Sequence, residues 1–446
     1  MIAPRLEAAP PSRSSLRLRT NADLDETLAE GIVPSGLRVQ VVRKRGFERK
    51  FAVLAVRFGS VDRDFFDPER GARVTVPDGI AHFLEHCLFA EQSGDVFQRF
   101  AALGGAANAG TSFSTTSYIV GCSERFDENL ETLLDFVANP YFPEKNVEKE
   151  REIITQEIRM YRDSADWRIF TNLLEALYRD HPVRIDIAGT ESSIREIDPS
   201  LLLSCYRCFY YPSNMGLFVA GDVDPRRVLR LVERNHARKG IGPAPLTRRF
   251  FPAEPPSVAR PIIAIELPVA SHKVLLGFKD SAPASDGPAI SRREAVTNLL
   301  LDVCVGRSSS AFERLYDEGL VDDTFSAAYS ADWGYGFTVL GGETDRPEAL
   351  VKAMRRHLAA VARRGVPADD FERIRAKALG KFYRYFNSPE SIAYAAMHQA
   401  FRDTDLLGIP RFLRSITRDE LSARAREHFD PKRSAVSIVS PRRSKR

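Results

Sequence analysis

The stretch GIAHFLEHCLF, residues Gly79–Phe89, is the one from which the rest of the chain can be read. It reads as a helix. Residues four apart on a helix lie one above the other, so His82 and His86 point the same way and can chelate one zinc ion. Glu85 follows His82 by three positions and adjoins His86, so it borders the same face. That places a carboxylate beside the metal, where it can serve water as a general base without being a ligand. The competing reading is a solvated, charged helix face that happens to carry two histidines. The apolar neighbours Ile80, Phe83, Leu84 and Leu88 argue against idle surface residues.

A catalytic zinc site needs a third protein ligand and an open fourth position. The segment from Glu144 to Tyr161 predicts a long acidic helix, with Val147, Ile154, Ile158 and Tyr161 at helical spacing. Of its acids, Glu150 and Glu157 lie two turns apart within that apolar stripe, whereas Glu148 and Glu152 fall on the face that meets water. A carboxylate on a buried face is costly unless it is paired or binds metal. Periodicity therefore nominates both Glu150 and Glu157, with a place at the solvated edge of the stripe as the alternative for either.

Outward from this centre, Leu37–Val42, Phe51–Phe58, Ser112–Cys122 and Asn214–Gly221 read as strands, and Val96–Leu103 and Asp127–Val137 as helices. Composition shifts between His236 and Arg260, a run loaded with Pro, Gly and Arg that reads as a linker. Beyond it come strands at Ile262–Leu267 and Val274–Phe278, a helix at Glu294–Val305, a strand at Tyr335–Leu340 and further helices. The order of the first half thus recurs. The expected organisation is a flexible tail over residues 1–23, a catalytic lobe over 24–235, the linker over 236–260 and a second lobe over 261–446. The fold class is α+β, with two similar lobes.

The chain has 446 residues, 43% hydrophobic and 28% charged, which excludes wholesale disorder and a fibrous repeat. A net charge of +4 argues against a dedicated nucleic-acid binder, and no apolar run is long enough to span a membrane. Five cysteines, few and odd in number, do not make a disulfide framework, and no signal peptide is evident; a cytoplasmic location is expected. Cys205 and Cys208 form a lone C-x-x-C that reads as helical core, and Cys87 falls off the His82/His86 face.

The pattern H-x-x-E-H at His82–His86 resembles the motif of the pitrilysin/insulinase family of inverzincin metallopeptidases. LGGAANAGTSFSTTSYIV (103–120), YFPEKNVEKEREIITQEIRMYRD (141–163), HPVRIDIAGTESSI (181–194) and FYYPSNMGLFVAGDVDP (209–225) resemble further landmarks of the family, in order. The second half resembles the zinc-free repeat of such chains, most clearly in GRSSSAFERLYDEGL (306–320). The resemblance implies two lobes, each a mixed β-sheet covered by helices. It implies one zinc ion per chain held by His82, His86 and Glu157, with Glu85 as general base and Glu150 as the supporting acid. It places Asn108 and Ala109 on an edge strand that pairs with substrate backbone, with Thr111 near its end. On local grounds alone, Asn108 would be a turn residue after glycines.

Two departures stand out. The spacing from His86 to Glu157 is a little shorter than in many members, which implies a trimmed loop. Active members carry an Arg and, seven residues later, a Tyr in the second lobe; here Tyr316 and Asp323 stand at those places. The sequence thus points to a zinc endopeptidase acting on unfolded peptides or precursor and leader segments, with no nucleic-acid or membrane partner. The family's four-lobed chamber implies two chains, as a heterodimer with a related chain lacking the zinc motif or as a homodimer. The alternative from a different class is a non-catalytic assembly subunit.

Overall fold

The structure is a computed structural model that describes residues 15–92, 94–244 and 247–442. Strands β1 (Ser15–Asn21), β2 (Glu26–Ile32), β3 (Arg38–Arg43) and β4 (Lys50–Val56) come first, followed by the hairpin β5 (Asp64–Asp67) and β6 (Ala72–Thr75). Helix α1 (Ile80–Leu88), the small hairpin β7 (Ala90–Glu91) and β8 (Gly94–Asp95), and α2 (Val96–Ala102) lead to β9 (Gly105–Thr111) and β10 (Thr116–Cys122). Helices α3 (Phe126–Val137), α4 (Glu144–Asp163), α5 (Ala165–Leu177) and α6 (Pro199–Phe209) then precede β11 (Met215–Gly221) and α7 (Pro225–Arg238).

The second half runs β12 (Ile262–Leu267), β13 (His272–Lys279), α8 (Gly287–Val305), α9 (Ser310–Asp317), β14 (Ser326–Asp332) and β15 (Tyr335–Thr344). Helices α10 (Pro347–Arg364), α11 (Ala368–Tyr385), α12 (Pro389–Phe401), α13 (Ile409–Ser415) and α14 (Arg418–His428) lead to the last strand, β16 (Ser434–Pro441).

Two mixed sheets organise these elements, β1-β2-β3-β11-β4-β10-β9 and β12-β16-β13-β15-β14. In each, a late strand inserts parallel to the first member of a pair and antiparallel to the second: β11 between β3 and β4, β16 between β12 and β13. The five strands of the second sheet repeat the last five of the first in order and direction. The chain is therefore α+β with two sheet-containing lobes of one design.

The compact units are not divided by a single cut in the linker. One comprises residues 15–156, 186–250 and 382–408; the other comprises 157–185, 251–381 and 409–442, counting described residues. The halves have exchanged a helix each: α5 packs on β12, β13 and β16, and α12 packs on β3, β4 and β11. A sheet with two apolar faces needs cover on both. On α5 the cover comes from Leu173 and Leu177, both fully buried, and Gly277 makes room for them, since a Cβ there would lie 2.9 Å from Leu177 Cδ1 and 3.0 Å from Leu173 Cδ1.

The expected tail is corrected from residue 15 onward. Ser15–Asn21 is a strand paired antiparallel with Glu26–Ile32. Its apolar–polar alternation at Leu16, Arg17, Leu18 and Arg19 is a strand signal masked by the Arg- and Ser-rich composition; residues 1–14 lie outside the described residues. The expected linker carries no regular element after Arg238 among its described residues, yet it is anchored. Arg249 pairs with Asp62 (2.7 Å) within the first unit, and Glu254 within the second accepts the backbone N–H groups of Arg179, Asp180 and His181.

Two buried histidines make the fold acid-sensitive. His181 stacks on Phe251 and its Nδ1 accepts from the Val183 N–H; the Nδ1 of His236 meets the Ser35 hydroxyl at 2.7 Å. Burial holds both at about 4. As pH falls below the unfolded value of about 6.5, the unfolded chain takes up protons first, so stability is full above that value and is lost down to about pH 4. Each should contribute about 3 kcal/mol of loss, read as a fall in the urea midpoint between pH 7 and pH 4. His181→Phe should flatten that fall; an unchanged profile would remove His181 from the account.

Candidate active site

Helix α1 starts at Gly79, whose backbone is left-handed (φ 92°). A side chain there would strike the Ala188 carbonyl, with a Cβ at 2.5 Å from its oxygen, and the Ser193 hydroxyl donates to the neighbouring Asp78 carbonyl at 2.8 Å. The start of α1 is thereby pinned against the segment 186–193. Ile80, Ala81, Phe83, Leu84, Cys87 and Leu88 bury the remaining faces. His82 and His86 share the face that is left, with ring centroids 4.6 Å apart.

Helix α4 brings its acids to that face as the apolar stripe required. Val147, Ile154 and Ile158 are buried, Glu148 and Glu152 are exposed, and Glu150 and Glu157 are half-buried. The two acids part at this point. Glu157 joins His82 and His86 in a group whose ligand atoms all lie within 4.8 Å of one another. Glu150 instead lies 3.3 Å from His86 Nδ1, the kind of carboxylate contact that orients a ligating imidazole. The boundary between the compact units falls inside α4 after Gln156, and α4 is continuous across it. Two imidazoles and a carboxylate, with one imidazole tied to a second carboxylate, are a donor set that suits zinc and leaves a fourth position open.

Glu85 is buried, 8% exposed, and stands outside the ligand group. The Thr111 hydroxyl, at the end of β9, donates to Glu85 Oε2 at 2.6 Å. Behind it the Thr116 hydroxyl donates to the Phe58 carbonyl at 2.9 Å, and the phenols of Tyr118 and Tyr210 meet at 2.9 Å. Burial first, and then neighbouring charges that include Glu85, push both phenols well above their ordinary range, so they stay protonated behind the carboxylate. Local periodicity contains no sign of the Thr111–Glu85 bond, which arises because β9, paired to β10, packs against α1.

Asn108 and Ala109 lie on β9, which is an edge of its sheet. The local reading of Asn108 as a turn residue is replaced by extended pairing with Ile119. Its side chain is exposed and its Oδ1 accepts the Ala109 N–H at 2.8 Å, so that N–H faces the open edge and not β10. Odd-numbered side chains, Thr111 among them, face α1. Cys87, Cys122, Cys205, Cys208 and Cys304 are all free and buried, and burial raises every one of their thiols. In the second unit, Tyr316 is exposed on α9 and Asp323 pairs with Arg307 at 3.0 Å. No described helix is long and apolar enough to cross a membrane.

The model of the insulinase peptidase family M16 matches residues 70–191, and that of the M16 inactive domain matches residues 196–378. YmfH of Bacillus subtilis (strain 168), named an uncharacterized zinc protease, is 41% identical over 94% of this chain and 98% of its own. A solved structure classed as M16-like, from Alicyclobacillus acidocaldarius, is 35% identical with a TM-score of 0.90, covering 98% of this chain and 100% of that one. Pitrilysin shares the fold at a TM-score of 0.76 and 16% identity; 97% of this chain covers 47% of it.

Proposed function

From the chain's membership of peptidase family M16 we propose that it is a zinc-dependent endopeptidase of unfolded peptides or of precursor and leader segments. The observation that carries this reading is the convergence of His82, His86 and Glu157 within 4.8 Å, with Glu85 beside them. Those three residues would hold the metal, and Glu150 would orient His86. Zinc bound there would polarise the scissile carbonyl and ease the ionisation of water. Glu85 takes a proton from the attacking water and returns it to the leaving amine as the C–N bond breaks. Thr111, by donating to Oε2 of Glu85, fixes the orientation of the carboxylate that does this work. The open edge of β9 supplies backbone hydrogen bonds to an extended peptide, with Asn108 swinging off the Ala109 N–H to admit it.

The chamber reading rests on two observations. Pitrilysin, similar in fold, is about twice as long as this chain, and Tyr316 and Asp323 stand where substrate-holding residues are expected. A heterodimer with a related chain that lacks the zinc motif supplies what is missing; a homodimer is the other outcome. The free, buried cysteines agree with a cytoplasmic setting.

The test is metal analysis joined to cleavage of an unstructured peptide pool. One zinc per chain and cleavage that chelator abolishes and zinc restores are the expected results. Glu157→Ala should weaken zinc binding by more than the roughly 10–100-fold typical of losing an outer partner. A chain that binds zinc as tightly without Glu157 would remove it from the ligand set. Zinc without cleavage, even beside a related chain, would favour an assembly role.

A further inference from the structure

The pairing registers put both sheets on a common scale. Val56 pairs with Thr116 and Met215 in the first; Phe278 pairs with Thr338 and Ser434 in the second. Thr111, opposite Thr116, therefore holds the place that Tyr329 holds opposite Thr338. The hydroxyls do matching things. Thr111 donates to Glu85 at 2.6 Å, and Tyr329 donates to Asp280 Oδ2, also at 2.6 Å. Where the first unit stacks Phe58 on Phe209, with ring centroids 4.3 Å apart, the equivalent positions of the second carry Asp280 and His428, 2.9 Å apart. Arg424 at 2.5 Å and Arg293 at 3.3 Å complete the neutralisation of Asp280. The place of that aromatic stack is thus taken in the second unit by an ion cluster that receives the Tyr329 hydroxyl.

The edge strand beside that cluster is also occupied. The Tyr329 N–H donates to Asn298 Oδ1 at 2.9 Å, and the Tyr329 carbonyl accepts from Asn298 Nδ2 at 3.3 Å. Asn298 lies on α8, so both backbone groups face away from β15, on the open side of the sheet. The carboxamide offers the same donor and acceptor that a neighbouring strand would. On the matching edge strand of the first unit, two residues before Thr111, the Ala109 N–H is met by Oδ1 of the exposed Asn108 side chain.

We propose that Asn298 closes β14 to strand addition, so that an extended peptide pairs with β9 and not with the equivalent edge of the second unit. Asn298 is then a specificity-determining residue that sets where peptide backbone docks on a molecule built from two similar sheets. It also blunts an edge strand that would otherwise template pairing with other chains. The β9 half of this statement rests on the peptidase reading; the closure of β14 does not.

The probe is a labelled, unstructured peptide of about ten residues, long enough to span a strand, titrated onto the full chain carrying Glu85→Gln to prevent cleavage. One peptide per chain is expected. Adding Asn298→Ala should raise this to two, and hydrogen exchange at the Tyr329 amide should quicken by about tenfold or more. Asn298→Asp keeps the acceptor and loses the donor, and should fall between; it serves if the alanine variant does not fold. An unchanged stoichiometry in a folded variant whose Tyr329 amide has lost its protection overturns the proposal, as does a second site already present before Asn298 is changed. If the Glu85→Gln chain binds no peptide and the Asn298 variant binds one, the β9 reading fails while the closure of β14 stands.

Discussion

Glu85→Gln is expected to lower peptide turnover by about 10²–10⁴-fold while zinc content stays at one per chain. The amide preserves size and can still accept the Thr111 hydroxyl, now 2.6 Å from Oε2, so the helix face should keep its shape. What it loses is the capacity to take a proton from water. Because Glu85 lies outside the group of His82, His86 and Glu157, its replacement should separate chemistry from metal binding. The substitutions in the ligand group should lose both together. Turnover within about threefold of the parent at saturating substrate would move the base elsewhere, since a general base is worth far more than that. Turnover is best read as kcat and KM separately, since loss of the base falls on kcat and should leave substrate binding unchanged.

Asp280→Ala is expected to cost about 3–5 kcal/mol of stability, the usual cost of removing one partner from a buried ion pair. The side chains of Asp280 and His428 are 1% and 0% exposed, and that of Arg424 is 5% exposed. Burial alone would raise the carboxyl of Asp280. The contact with His428, then the charge of Arg424 and the Tyr329 hydroxyl, outweigh it and hold the group far below the usual carboxylate range. A depressed carboxyl contributes stability at every pH above its unfolded value and gives it up only as pH falls through its folded one. The loss on substitution should therefore be undiminished from pH 7 down to about pH 5, where the unfolded carboxyl is still ionised. The urea midpoint at constant m-value is the measurement. A loss of under about 1 kcal/mol would mean that water replaces the carboxylate at little cost, against the enclosure seen here.

Helix α1, with its two histidines, and its acidic partner are legible in the sequence because each rests on one period. His82 and His86 need only the four-residue repeat of α1, and Glu150 and Glu157 need only the stripe of α4. That stripe could not say which acid meets the histidines. The difference is one of reach: Glu157 closes on the pair, and Glu150 stops at His86 Nδ1. The composition around β1 hides its alternation, and local propensity at Gly104, Gly105 and Asn108 favours a turn that pairing with β10 overrides; only the family resemblance pointed to an edge strand at Asn108 and Ala109.

The sequence by itself determined the α+β class, the doubling of the chain and the residue types that can hold zinc, because periodicity and spacing are properties of neighbours along the chain. Only the tertiary structure decided which sheet each helix covers, since α5 and α12 are exchanged between the halves. It alone tied Thr111 to Glu85, and it alone set Asn298 against Tyr329 and Arg424 against Asp280. Those contacts join residues far apart in sequence, and they exist because strands must satisfy their backbone groups and buried charges must find partners wherever the sheet places them.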